Sequence, residues 1–390
     1  MENFTNKQIN FDILKERAHN LRWAEVPDGV IPLTAADHDF PCAPEVVEAL
    51  TDYIKDGYFP YIENRGMERF KEDLAKSFRE RKNEPVEAKY VLPIDSAARG
   101  MQVIADAFLQ PGDECLVFDP VDFLFRTSMS NAGATIKLFP SNLKEDRISL
   151  EGLENYITPK TKMIGFCNPH NPMGMLYTKE DLDYLLTLSE KYGFYIMNDE
   201  IWSDMIYPEA HFNSLLEFGP ERNKRTLTVY GFSKTFGVAG LRIGCVYATN
   251  QENYDKLVEA SMVDSTMLSQ VAGIACLEKG FYRVDQFVQQ ITENRDYALQ
   301  RIAAMPGIKC HKPQATFVIF PDITETGMDP VELVELLKTK YKLAIVPGGE
   351  RFFGPGSEGH VRICLATSHE VLEEGLNRLE ACLKDLMSAK

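Results

Sequence analysis

Short apolar runs alternate with helical stretches through the middle of the chain, and this alternation restricts the fold more than any other feature. The apolar runs comprise residues 90–94, 114–118, 162–167, 194–197, 226–230 and 242–247. Between them, helical patterns comprise residues 98–109, 149–156 and 179–191. Continuous apolar strands separated by helices are typical of a mostly parallel sheet with helices on both faces. The sequence therefore predicts an α/β fold.

The pattern changes after about residue 290 to that of a smaller α+β unit. Apolar runs now alternate with longer helical patterns, the runs at 316–320, 343–346 and 361–365 and the helices at 330–341 and 369–386. No linker rich in proline or serine separates the two parts, so we expect the boundary within a long helix near 260–300. We predict an N-terminal segment that contributes to the small domain, a large domain and a C-terminal small domain, at residues 1–44, 45–280 and 281–390.

The charge balance and the absence of apolar segments exclude several partners. The 390 residues carry 42 Lys and Arg against 58 Asp and Glu, a net charge of −16, which repels nucleic acid. The N-terminal residues lack the apolar stretch of a signal peptide, and no apolar run is long enough to span a membrane. The eight cysteines are scattered, several of them in apolar runs, and the seven histidines occur singly. We expect a cytoplasmic protein with reduced thiols, no membrane contact and no metal site.

Polar residues follow the predicted strands at the points where the strands end. Asn168 follows the run 162–167, Asp199 follows 194–197, Lys234 follows 226–230, and the small residues at 96–98 open a helix after 90–94. In open parallel sheets, ligands bind beyond the carboxyl ends of the strands. We therefore expect an amide, a carboxylate, an amine and a helix N-terminus to meet at one edge of the sheet.

That set of groups meets the needs of a phosphorylated aldehyde cofactor, pyridoxal 5′-phosphate. A lysine is required to form a Schiff base with the aldehyde. A carboxylate keeps the pyridine nitrogen protonated, and an amide can hydrogen-bond the ring hydroxyl. A phosphate favours backbone N–H groups at a helix N-terminus together with an arginine.

Four motifs make the resemblance to a known family specific. They are N-P-H-N-P-x-G from Asn168, D-E at Asp199, S-K-T-F-G-V-A-G-L-R-I-G from Ser233 to Gly244, and H-V-R-I-C around Arg362. The chain resembles a fold-type I pyridoxal-phosphate enzyme of the class I/II aminotransferase family from about residue 30 to the end. The resemblance implies a mostly parallel seven-stranded sheet sandwiched by helices, an obligate homodimer, and transfer of the amino group of an α-amino acid to a keto acid.

The resemblance also implies a role for each matching residue. Lys234 would form the aldimine with the cofactor and carry the 1,3-proton transfer between Cα and the cofactor, while Asp199 would pair with the pyridinium. Asn168 would contact the ring hydroxyl and lie near the substrate carboxylate, which Arg362 would bind. The remaining expected contacts are with the cofactor phosphate, from Ser96, Ala97, Ala98, Ser233, Arg242 and, across the dimer, Tyr61.

One segment points to a branch of the family with a different reaction. Residues 35–40, Ala-Ala-Asp-His-Asp-Phe, resemble a phrase of the cystathionine β-lyase-like branch, and the stretch that begins at His211 is similar to it as well. Ala36 of this segment is expected to line the substrate site. A C–S β-lyase that releases pyruvate, ammonia and a thiol therefore remains open as an alternative, and a non-catalytic regulator that binds the cofactor remains a remote one.

The sequence departs from the family pattern around the cofactor ring. Asp122 stands where an aromatic residue usually stacks on the ring, so Phe123 is the expected stacking residue. Trp202 replaces a tyrosine and either donates its N–H to the cofactor or packs, and Gly231 replaces a phosphate-binding serine. For Asp122 two interpretations remain open: it caps a turn, or its carboxylate faces the cofactor or a cationic group of the substrate.

Overall fold

A mixed seven-stranded sheet forms the centre of the computed structural model, which describes residues 4–62, 65–141, 143–144, 147–261 and 265–388. All neighbouring strands are parallel except at Gly244–Tyr247, which is antiparallel to both of its neighbours. The prediction of a mostly parallel sheet is thus confirmed. In spatial order, the strands are Val91–Ile94, Gly244–Tyr247, Thr226–Gly231, Tyr195–Asp199, Thr161–Cys167, Glu114–Asp119 and Thr135–Pro140.

Helices cover both faces of the sheet and continue into the C-terminal region. Because the central strands are buried on both faces, they read as continuous apolar runs in the sequence. The α-helices are Pro44–Ile54, Glu68–Lys82, Ala97–Phe108, Phe123–Asn131, Lys179–Tyr192, Phe232–Phe236, Gln251–Ala260, Met267–Ala275, Phe281–Ala303, Pro330–Leu336 and His369–Ser388.

Two local predictions differ from the structure. The helix expected at 149–156 is wrong, because only the 3-10 turn Leu153–Tyr156 forms there, after Gly152 in a left-handed conformation with a φ of +82°. The edge strand Thr135–Pro140 was not predicted. Its first four residues are exposed or half-buried, so it lacks the continuous apolar signal of the central strands.

The C-terminal region builds a smaller sheet that also recruits the N-terminal segment. Val361–Cys364 lies between Val318–Ile319 and Val346–Pro347 in a three-stranded sheet. Beside it, Ile31–Pro32 pairs in parallel with Leu343–Ala344, so the N-terminal segment packs on the C-terminal unit. This pairing supports the proposed division at 1–44, 45–280 and 281–390, which stays a prediction.

The structure also describes the cysteines and the hydrophobicity of the helices. All eight cysteines are free thiols, and six of them are buried in the apolar cores. Within the described residues, no helix is long and apolar enough to cross a membrane.

Candidate active site

Lys234 lies on the short helix Phe232–Phe236, which begins directly after a strand of the central sheet. The helix ends at Gly237, whose φ of +67° is a left-handed conformation that favours glycine. The Lys234 Nζ donates a hydrogen bond to the Ala36 carbonyl oxygen and lies 5.5 Å from the centroid of the Trp202 ring. Burial lowers the pKa of the amine, which enlarges the share of its neutral, nucleophilic form.

Asp199 ends the neighbouring strand and is paired in register with Cys167. Its side chain is buried, and Oδ1 accepts a hydrogen bond of 2.9 Å from the Ile201 backbone N–H. Burial is the main reason that the pKa of Asp199 rises to about 7, and the charges of Asp122 and Glu200 act in the same direction. A buried carboxyl group of this kind is stabilised in its ionised form by a cationic partner.

Asn168 follows the adjacent strand and is buried beside Asp199, whose backbone carbonyl accepts its N–H at 3.0 Å. Its side-chain Nδ2 donates to the Asn213 carbonyl oxygen at 2.8 Å. The Oδ1 atom is buried and has no hydrogen-bond partner among the described residues. Since buried polar atoms are nearly always hydrogen-bonded, this oxygen indicates a place for a missing donor.

Arg362 is brought to the site by the C-terminal sheet and is linked to Asp122 through Asn171. The Asn171 Nδ2 donates to Asp122 Oδ2 at 3.0 Å, and Arg362 Nη1 lies 3.4 Å from Asn171 Oδ1. Arg362 Nη2 lies 3.5 Å from the Thr34 carbonyl oxygen, and its guanidinium lies 5.0 Å from the Phe353 ring centroid. Burial lowers the pKa of Arg362, and its buried Nε has no hydrogen-bond partner within the described ranges.

Small residues bring two strand ends close to the start of the helix Ala97–Phe108. Ser96 caps this helix by accepting a hydrogen bond of 3.2 Å from the Arg99 N–H. A Cβ on Gly244 would lie 3.2 Å from the Ala97 nitrogen, and one on Gly231 would lie 3.3 Å from the Ala97 Cβ. The first backbone N–H groups of the helix, including that of Ala98, therefore lie at the end of the strand that precedes Lys234.

The other predicted cofactor contacts differ in exposure. Ser233 is half-buried, whereas Arg242 is exposed and donates to the Ala239 carbonyl oxygen at 3.0 Å. Trp202 is buried and packs edge-on against Phe317, with ring centroids 4.7 Å apart. The last two side chains, Phe123 and Tyr61, are 41% and 105% exposed, so within this single chain Phe123 is partly covered and Tyr61 is not covered.

Three residues that the sequence did not assign stand at the site. Asn171 belongs to the same motif as Asn168, so the motif itself was a signal for it. His38 Nε2 lies 2.8 Å from the Lys234 carbonyl oxygen, and the Thr34 carbonyl faces Arg362. No local signal identified these contacts of His38 and Thr34, because both depend on how the N-terminal segment packs against distant parts of the chain.

The residues present fit a pyridine aldehyde that bears a phosphate. The unpartnered Asn168 Oδ1 can accept a hydrogen bond from a hydroxyl group, and the unpartnered Arg362 Nε can donate one to an acceptor such as a carboxylate. Lys234 offers an amine of lowered pKa and Asp199 a buried carboxyl group that a cation would stabilise. In contrast, the described part of the chain contains no group of three side chains that could hold a metal ion.

The chain is similar in sequence to aminotransferases along nearly its whole length. The model of the family "Aminotransferase class I and II" matches residues 28–379. An aspartate aminotransferase of Pyrococcus horikoshii is 31% identical over 365 residues, which cover 92% of this chain and 91% of that protein. Aromatic-amino-acid aminotransferase 2 of Thermococcus litoralis is 29% identical, with coverage of 92% on both sides.

Solved structures agree with the fold. A pyridoxal-phosphate-bound putative aminotransferase of Clostridium difficile is 26% identical and superposes with a TM-score of 0.88, covering 96% of this chain and 100% of that one. Cystalysin of Treponema denticola, whose structure contains pyridoxal 5′-phosphate, superposes with a TM-score of 0.90 over 99% of this chain and 100% of that chain. At 24% identity, the likeness to cystalysin concerns the fold alone.

Proposed function

This chain belongs to the family of class I and II aminotransferases, which work with pyridoxal 5′-phosphate, and we propose that Lys234 is the residue around which it transfers an amino group. The donor would be a small α-amino acid and the acceptor a keto acid. The observation that carries this proposal is that Lys234 interacts electrostatically with both Asp199 and Arg362, although the three residues come from distant parts of the sequence.

Lys234 supplies the amine that binds the cofactor aldehyde and later moves the substrate proton. When bound, the cofactor ring withdraws electrons from the substrate Cα and so makes that proton removable. The amine is close to the Ala36 carbonyl, which orients it, and burial lowers its pKa and so favours the unprotonated form. A neutral amine held in place can take a proton from Cα and return it at a neighbouring atom.

Asp199 holds a proton on the pyridine nitrogen in this proposal. The cationic N–H would be the partner that the buried carboxyl group lacks among the described residues, and the pairing would lower its raised pKa. The Ile201 N–H already fixes the direction of the carboxylate by binding Oδ1. The orienting bond leaves the other oxygen for the ring.

Arg362 binds the α-carboxylate of the substrate, and Asn171 sets its orientation. The Asn171 amide has a carboxylate on its nitrogen side and a guanidinium on its oxygen side, so only one orientation satisfies both neighbours. A guanidinium presents paired donors that match the two oxygens of a carboxylate. The two asparagines of the motif that begins at Asn168 have different roles in this proposal. Asn171 positions Arg362, and the free Oδ1 of Asn168 accepts a hydrogen bond from the ring hydroxyl.

The helix start at Ser96 receives the phosphate. Backbone N–H groups and the helix dipole favour an anion there, and Gly231 and Gly244 let the strands approach closely. In this proposal, Ala97, Ala98, Ser233 and Arg242 also contact the phosphate.

We also propose that the protein is a homodimer and that it is located in the cytoplasm. Tyr61 is fully exposed in the single chain, and Tyr58 and Phe59 beside it are 78% and 60% exposed. Such a cluster of aromatic residues supports an interface with a second copy, where Tyr61 would reach the phosphate of the partner subunit. The eight unpaired thiols support a reducing compartment.

The test begins with the absorption spectrum of the purified, cofactor-loaded protein. We expect a band near about 420 nm that borohydride abolishes, with the added mass on the peptide that contains Lys234. Mixing with amino acids in the absence of an acceptor should yield keto acid and pyridoxamine phosphate in equal amounts, one per site.

Two outcomes would contradict the proposal. A protein that gains no such band with added cofactor does not use Lys234 in this way. Catalytic release of pyruvate, ammonia and a thiol from L-cystathionine, without pyridoxamine phosphate, would identify a C–S β-lyase instead.

A further inference from the structure

Asp122 occupies the turn before the helix Phe123–Asn131 and is held there by contacts on every side. Its Oδ1 accepts a hydrogen bond of 3.1 Å from the Leu124 N–H and caps the helix, while Oδ2 accepts one of 3.0 Å from Asn171. The N–H groups on either side of it donate to the C-terminal loop, at the Phe352 and Phe353 carbonyl oxygens, with distances of 3.0 and 2.8 Å. Asp122 is therefore a fixed carboxylate at the candidate site.

The charges around Asp122 change when the site is filled. Burial raises the pKa of Asp122, whereas the Leu124 N–H and the cations Arg362 and Lys234 lower it. In the proposed function both cations acquire other partners, since Lys234 binds the cofactor and Arg362 binds the α-carboxylate. The Leu124 and Asn171 N–H groups, which favour the ionised form, stay bound to Asp122, so it remains a negative charge close to both residues. In the proposal, the substrate side chain extends into the region beside Asp122.

We propose that Asp122 determines specificity by excluding amino acids whose side chain ends in a carboxylate and admitting those whose side chain is uncharged or cationic. This inference rests on the proposed function, because it takes Arg362 as the partner of the α-carboxylate. A second carboxylate would lie near Asp122, and like charges a few ångströms apart in a partly buried site weaken binding by about tenfold to a hundredfold. The family pattern has an uncharged aromatic residue at this position, so the preference would be a property of this chain.

The experiment compares two ligands that differ by one charge. The α-methyl derivatives of L-glutamate and L-glutamine have no Cα proton, so they bind to the cofactor-loaded protein without turning over. Their dissociation constants follow from the change in the cofactor absorption band. We expect the glutamine derivative to bind the wild-type protein about tenfold more tightly or better, and the ratio to fall to within about twofold in Asp122→Asn. Asparagine also caps helices, so the fold should be retained.

Two further variants separate the side-chain effect from other causes. Asp106→Asn removes an exposed carboxylate from the helix Ala97–Phe108 and should leave the ratio as in the wild type. Arg362→Lys removes the paired donors for the α-carboxylate and should weaken both ligands by a similar factor, because both carry the same α-carboxylate.

The result that would overturn the inference is a wild-type ratio near one, an unchanged ratio in Asp122→Asn, or failure of both ligands to bind a protein that shows the cofactor band. Absence of the band before any ligand is added is a different failure. It would refute the proposed function, and the inference with it.

Discussion

Arg22 and Asp39 form an ion pair of 3.2 Å between Nη2 and Oδ2, and both side chains are completely buried. Trp23 Nε1 donates to the other oxygen of Asp39 at 2.8 Å, and Arg22 also donates to the carbonyl oxygens of Pro32 and Asp37 at 3.0 and 2.9 Å. The pair thus holds together the N-terminal segment that contains Ala36, the residue whose carbonyl receives the Lys234 amine.

Asp39→Asn should destabilise the protein by about 3 kcal/mol, because it leaves the Arg22 guanidinium buried without its counter-charge. Urea denaturation monitored by tryptophan fluorescence measures this change. Asp28→Asn, which removes an exposed partner of Lys15, is the control and should leave the denaturation midpoint unchanged. Equal midpoints for wild type and Asp39→Asn would contradict the assigned role of the buried pair.

Lys234→Ala should abolish the borohydride-sensitive band and slow proton removal from the substrate by about a thousandfold. The measurement is deuterium exchange at the Cα of an added amino acid, followed by NMR. Lys256→Ala, on the exposed face of the helix Gln251–Ala260, should exchange at the wild-type rate. Undiminished exchange in Lys234→Ala would assign the proton transfer to another residue.

Arg362→Lys should raise the KM for the amino donor by about thirtyfold to a hundredfold while the cofactor band is kept. The ammonium of lysine is a point charge and cannot pair with both carboxylate oxygens as a guanidinium does. Steady-state kinetics and the absorption spectrum together test this. Arg351→Lys on the neighbouring loop should leave KM unchanged, and an unchanged KM in Arg362→Lys would place the substrate carboxylate elsewhere.

Glu84→Gln should flatten the dependence of stability on pH above about pH 4.3, where the carboxyl group of the unfolded chain loses its proton. Glu84 and Glu200 are both fully buried, and the Tyr247 hydroxyl lies 3.2 and 3.5 Å from their nearest oxygens. Burial, and secondarily the charge of Glu200, raises the pKa of Glu84 well above its ordinary value. The folded protein therefore keeps a proton that the unfolded chain releases, and its stability falls as the pH rises.

Urea denaturation from pH 5 to 9 measures this effect. The stability of Glu84→Gln relative to wild type should increase with pH over this range, since the amide has no proton to lose. Parallel pH profiles for the two proteins would show that Glu84 does not hold the proton.

His170→Gln should reduce the acid sensitivity of the fold. Burial lowers the pKa of His170 to about 4, and its ring nitrogens lie 2.7 Å from the Pro120 carbonyl oxygen and 3.1 Å from the Tyr177 hydroxyl. An unfolded histidine takes up a proton near about pH 6.5, so the stability present above that value is lost as the pH falls towards 4, at most roughly 3 kcal/mol.

The free energy of unfolding between pH 7 and 5 provides the measurement. The wild type should lose stability over this interval, and His170→Gln should lose less. His211→Gln alters an exposed histidine and should behave as the wild type does. A slope in His170→Gln as steep as that of the wild type would show that other groups cause the acid sensitivity.

Local patterns in the sequence were sufficient for elements with a continuous buried run or a regular buried face. The apolar run 162–167 corresponds to the strand Thr161–Cys167, and the helical pattern 179–191 corresponds to the helix Lys179–Tyr192. The edge strand Thr135–Pro140 escaped prediction because an edge is half-exposed and needs no continuous apolar run. The pattern of apolar residues reflects which side chains are buried. It therefore does not predict an element whose side chains are only partly buried.

For the candidate site, the polar residues that follow the strands were enough to predict that Asn168, Asp199 and Lys234 lie at one edge of a parallel sheet, whereas Arg362 was assigned only through the family resemblance. They were not enough to choose between the two interpretations of Asp122. Its Oδ1 caps a helix, as the first interpretation expects, while a role towards the cofactor or a cationic substrate group stays a prediction. The partners in the chain of contacts from Asp122 through Asn171 to Arg362 lie 49 and 191 residues apart in the sequence. Hydrogen bonds are directional, so the relative position of the two sheets decides which donor each oxygen of Asp122 and Asn171 accepts from. No local pattern in the sequence encodes how the C-terminal sheet packs against the central one.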